Sequence, residues 1–232
     1  MYNNRSVTLL YVLVGIAVLI ANFFTETLPA FQYAVKPLIM VVLSVYFFRA
    51  ASGRRTTHVW VMQAALFFSW LGDIFLMFQG ELFFLLGLAS FLLTHIGYAW
   101  VFGFTGPGSS GRSLLARSPW IGLIYLGYGL VLFRLIFPGL GDMTVPVIVY
   151  AAAIITMVIL AVNRWERVPA QSFSWVLLGA LCFMFSDSLI AINKFSGSVP
   201  FARTWIMALY MTGQYLIVRG YLEQVKMLPK RR

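Results

Sequence analysis

The stretch Gly179-Ala180-Leu181-Cys182-Phe183-Met184-Phe185-Ser186-Asp187-Ser188-Leu189-Ile190-Ala191-Ile192-Asn193-Lys194-Phe195 decides the architecture. It is long and apolar, and it does not alternate with the period of two that a membrane strand shows. A run of about 20 such residues spans a bilayer as helix. Lipid offers the backbone no other partners, so every N–H and C=O must be satisfied within the segment. Inside this helix stands a carboxylate, Asp187. A charge in hydrocarbon is costly, so it faces protein or a watery cavity and marks a functional position. Leu71-Gly72-Asp73-Ile74-Phe75-Leu76 repeats the situation with Asp73.

Working outward, the same apolar texture recurs. The 232 residues are 61% hydrophobic and 10% charged, with a mean hydropathy of +0.86. Soluble domains carry about 25% charged residues. The expected fold is all-α: one polytopic transmembrane helix bundle over residues 1–232. It has about eight spans, near 7–24, 31–49, 58–78, 82–104, 119–137, 145–163, 171–193 and 201–221. The first run is read as a retained helix, because it is long and lacks a small-residue cleavage site. Lys36-Pro37 is expected near the start of the second helix, where a proline costs nothing. The Gly/Ser-rich stretch 105–118 is the longest connector and the best half-way boundary.

The net charge of +10 does not indicate nucleic acid. The cations sit in short loops and form no basic face with interleaved aromatics. They set orientation instead. Arg5, Arg49, Arg54, Arg55, Arg112, Arg117, Arg164, Arg167, Arg219 and the basic tail fall on one side. Only Arg134, Lys194 and Arg203 fall on the other, with Lys36 inside its helix. Both termini are therefore expected in the cytoplasm, in a bacterial inner (plasma) membrane. Asp73, Asp187 and Lys36 then share one depth in the outer half. Gly72-Asp73 with Leu76 faintly echoes Ser186-Asp187 with Ile190, as two parallel halves would.

Other polar groups join these carboxylates on helical faces. His95 stands with Phe91 and Tyr98, and Tyr210 stands with Gln214. Each also admits a plain structural role. Asp73 could snorkel to the interface, and Asp187 could pair with Lys36 or Lys194. His95 and Tyr98 could be packing groups, and Tyr210 and Gln214 interhelical glue. A metal centre is not expected: two histidines cannot supply three convergent ligands, and no cofactor is called for. A serine nucleophile lacks its base, because Ser186 and Asp187 are adjacent and point about 100° apart on a helix. Two carboxylates acting as acid and base are the simpler chemistry. A transporter or proton relay using the intramembrane aspartates is the alternative. A structural or sensory protein with Asp–Lys pairs as internal glue is another.

At these positions the chain resembles the YhhN-type lysoplasmalogenase family. The matching pieces are Lys36-Pro37, Gly72-Asp73 with Leu76, and Gly87 with Phe91, His95 and Tyr98. They continue with Gly179-Ala180, Phe183, Ser186-Asp187 and Phe195, then Tyr210, Gln214, Leu216, Ile217 and Gly220. The fifth and sixth helices carry no signature. The resemblance implies a membrane hydrolase that cleaves the vinyl-ether bond of a lysoplasmalogen, giving a fatty aldehyde and a glycerophospho-alcohol. It implies catalytic Asp73 and Asp187, in either order of acid and base. Lys36, His95, Tyr98, Ser186, Tyr210 and Gln214 would position substrate, water or the carboxylates. The partners implied are a vinyl-ether lysophospholipid and the bilayer, with a lateral opening between helices.

Overall fold

The computed structural model describes residues 4–24, 29–54, 56–104 and 113–228. Among these residues every regular element is helical. The order is α1 (Asn4–Phe23), α2 (Pro29–Ala50), α3 (Thr57–Phe75), α4 (Glu81–Gly103), α5 (Leu114–Arg117), α6 (Trp120–Ile136), two 3₁₀ turns, α7 (Thr144–Val162), α8 (Ala170–Phe195) and α9 (Ala202–Val225). The eight long helices stand where the apolar runs predict them. The segments Ala30–Ala50, Glu81–Gly103, Trp120–Gly139, Gly141–Val162 and Ala170–Phe195 are long and apolar enough to cross a membrane, and Ser6–Asn22 is a shorter apolar helix. The protein is a polytopic helical membrane bundle. Part of the 105–118 connector, residues 105–112, lies outside the described residues; its end forms α5.

Local chemistry sets the helix ends. The Thr56 hydroxyl accepts the Val59 N–H and opens α3. Gly80, at φ +111°, makes the turn into α4, a conformation that costs a residue with a Cβ. Pro37 corrects an expectation. It lies well inside α2, not in its first turn, because the helix begins earlier, at Pro29. An internal proline donates no N–H to the carbonyl one turn back, so α2 carries an interrupted hydrogen-bond ladder beside Lys36.

Residues up to Gly97 form one compact unit and Tyr98–Leu228 another. In the first, α1 and α2 are tied by Gln32 Nε2 donating to Asn22 Oδ1 at 3.0 Å. Its core includes Ile39, Met40, Leu43, Phe47, Met62 and Leu66. The α3–α4 contact is a set of small-against-large pairs. A Cβ on Gly72 would fall 2.7 Å from the Phe91 ring, and one on Gly87 2.6 Å from Leu76. Without a hydrophobic drive between helices in lipid, close packing of this kind is what holds them.

In the second unit α8 and α9 touch backbone to backbone. A Cβ on Gly179 would meet the Gly213 carbonyl oxygen at 2.7 Å, and one on Gly213 the Gly179 oxygen at 2.8 Å. One on Gly220 would meet the Val176 nitrogen at 2.8 Å. By contrast α6 carries Leu130 and Val131 at 70% and 72% exposure, side chains that are stable in that state when lipid surrounds them.

Candidate functional site

In the first unit the apolar helices bury a polar group. Asp73 is 3% exposed on α3 and Lys36 is 8% exposed on α2. The Asp73 carboxylate attracts the Lys36 ammonium. Ser69, one turn before Asp73, and His95 on α4 are fully buried. Beside His95, the Thr94 hydroxyl donates to the Ala65 carbonyl at 3.1 Å, linking α4 to α3. The glycine pairs at Gly72 and Gly87 thus have a concrete use. They bring α3 and α4 close enough for those helices to seal Asp73 and His95 away from lipid.

In the second unit Asp187 is half-buried on α8, and the Tyr150 hydroxyl on α7 donates to its Oδ2. Next to them the Tyr128 hydroxyl on α6 donates to Ser188 Oγ at 2.8 Å, and Ser188 Oγ donates to the Met184 carbonyl at 2.7 Å. These groups line a groove of about 500 Å³, counting its open mouth, between α6, α7 and α8. The rest of its wall is hydrocarbon, including Leu132, Phe133, Ala151 and Ile155. An apolar pocket with a few convergent polar groups is the usual form of a small-molecule site.

The remaining predicted residues of this unit make three separate contacts. The Tyr98 hydroxyl donates to Gln214 Oε1, both of them fully buried, and Tyr98 stacks on Phe102 at 5.8 Å. Tyr210 meets the edge of Phe183 at 5.4 Å, one turn before Asp187. Ser186 donates to the Ile206 carbonyl at 3.0 Å, which makes it a link between α8 and α9. Sequence reasoning missed Tyr150, Tyr128 and Ser188. Two of them lie on α6 and α7, where no motif drew attention. The available signal was hydroxyl-bearing aromatics in otherwise aliphatic spans.

Arg164 also departs from its reading as a loop cation. It lies in the turn after α7 and is 0% exposed. Its Nη2 donates to Ser172 Oγ at 2.7 Å, and its guanidinium stands 5.4 Å from the Phe102 ring centroid. Burial lowers its pKa to about 10, opposed by the nearby Tyr221 phenol. The turn is tight: Glu166 takes a left-handed φ of 59° and holds Arg117 at 2.7 Å on the surface.

Human lysoplasmalogenase TMEM86A is 35% identical over 168 residues, which is 68% of this chain and 63% of that protein. Lysoplasmalogenase TMEM86A of Bos taurus is 35% identical over 163 residues, with the same shares. The chain therefore spans under two thirds of the length of these two relatives. Lysoplasmalogenase TMEM86B of Sus scrofa is 32% identical over 205 residues, 87% of this chain and 80% of that protein. No solved structure matches. The sequence model of the YhhN family covers residues 31–221, from α2 through most of α9, and the chain belongs to the YhhN family.

Proposed function

We propose that this protein hydrolyses the vinyl-ether bond of a lysoplasmalogen by carboxylate acid–base catalysis, with Asp73 and Asp187 as the catalytic groups. The observation that carries the reading is Asp187 itself: a carboxylate held by the Tyr150 hydroxyl in the wall of an apolar groove. It stands in a chain whose similar proteins bear the name lysoplasmalogenase. The chemistry needs two such groups. One carboxyl donates a proton to the vinyl carbon remote from oxygen, which leaves an oxocarbenium ion. The other, as carboxylate, faces that cation and takes a proton from the water that adds to it. The resulting hemiacetal collapses to a fatty aldehyde and the glycerophospho-alcohol, so atoms balance with water as the only co-substrate. Lys36, His95, Tyr98, Tyr210 and Gln214 position substrate, water or the carboxylates, and Ser186 supports Asp187 by fixing α8 on α9.

The test is purified protein in detergent with a lysoplasmalogen, scored for aldehyde. Asp187→Asn keeps the side chain's size but cannot cycle a proton. Turnover is expected to fall at least about 10²-fold, the lower bound for a general acid or base, while substrate affinity changes little. A folded Asp187→Asn protein that releases aldehyde at the wild-type rate overturns the scheme.

A further inference from the structure

The groove between α6, α7 and α8 is apolar along its length with one polar strip. Its polar atoms are the hydroxyls of Tyr128, Tyr150 and Ser188 and the Asp187 carboxylate. On α7 its wall runs from Val147 to Ile155, about 12 Å of helix axis. At its far end Ile155 packs directly against Gly129, in the space a Cβ would take. The same two helices carry exposed Leu130, Val131, Ile148 and Val149 outside the groove, side chains suited to lipid tails.

An occupant must match both features. A polar solute finds hydrogen-bonding partners on the strip alone. A bilayer lipid in its ordinary place would set mid-chain methylenes against a carboxylate, because Asp187 lies eight residues, about 12 Å, before α8 ends at Phe195. That contact leaves the charge in hydrocarbon. A single chain whose polar linkage to glycerol sits at the strip satisfies both.

We propose that this groove is the seat of the hydrocarbon chain of a single-chain phospholipid. The first methylenes lie against Leu132, Ala151 and Ile155, and the ether linkage lies at Tyr150 and Asp187. This assignment rests on the lipid-hydrolase reading above, but its test does not need turnover.

The probe is a saturated alkyl lysophospholipid with a photoreactive diazirine in the methylenes next to the glycerol ether. It has no vinyl ether to cleave. Irradiation with the detergent-purified wild-type protein, followed by peptide mass spectrometry, is expected to place the label on α6 and α7 at Leu132, Ala151 or Ile155. Ala151→Trp, which fills the groove, is expected to cut that label about tenfold, a 1.4 kcal/mol effect. Leu132→Trp fills it from α6 and serves where the first variant does not fold. Label confined to other helices overturns the assignment. So does equal labelling of the groove by a two-chain phospholipid carrying the diazirine at the same carbons, because the groove is then a general lipid contact. Groove labelling without aldehyde release from a lysoplasmalogen refutes the hydrolase reading and leaves the chain seat standing. Aldehyde release with label elsewhere refutes the seat alone.

Discussion

A carboxylate inside a membrane helix needs a donor, and for Asp187 the Tyr150 hydroxyl is one. Tyr150→Phe removes that donor and leaves the ring in place. A hydrogen bond to a charged group contributes about 1.5–3 kcal/mol. If it orients Asp187 for catalysis, kcat is expected to fall roughly 10–100-fold, with KM and the elution profile near wild type. A change in kcat below about twofold makes the contact incidental. Asp187 was legible in the sequence because a lone acid in an apolar run breaks the pattern. Tyr150 was not, because one of 11 tyrosines in a membrane chain looks like any packing or interfacial aromatic. Ser186 shows the reverse limit. Its place beside Asp187 made it conspicuous, whereas its hydroxyl bonds to the Ile206 carbonyl. Adjacency along a helix says little about which neighbour a side chain meets.

Among the elements, the α8–α9 pair is held by shape. Gly179, Gly213 and Gly220 present backbone to backbone, and at each of them a Cβ would strike main-chain atoms that cannot swing aside, whatever the neighbouring side chains do. Gly213→Ala is expected to lower stability by about 1–3 kcal/mol, the usual cost of overpacking, read as a drop in detergent melting temperature. Gly127, inside α6, has open space where its Cβ would go. Gly127→Ala is expected to be neutral or to stabilise by about 0.5–1 kcal/mol through helix propensity. Equal effects at the two sites would remove the packing argument. Element positions were readable from length and apolarity alone. Details at the ends were not: α9 runs to Val225, one turn past its expected end, and α2 takes Pro37 into its interior. The extension of α9 follows from tertiary burial. Tyr221, Leu222 and Val225 are all at most 5% exposed, which outweighs the charged residues around them.

For the whole molecule, orientation rests on the arginines and lysines. With that bias a reporter at the C-terminus, or in the loop near Gly108, is expected to read cytoplasmic, and one at Gly80 external. Reversed signals would place the carboxylates in the opposite leaflet. Helix number and fold class were readable because eight apolar runs are separated by turn chemistry. The groove was not, because two of its three helices, α6 and α7, carry no distinctive motif, and no single sequence window contains it. The α8–α9 contact has a further consequence, in how the chain is made. α9 is the least apolar of the eight long helices, and its Tyr210, Gln214 and Gln224 are buried. Left alone in lipid, those groups would lose their partners. Entering the bilayer together with α8, as one hairpin, is expected to spare α9 that cost, because the close α8–α9 contact buries those groups.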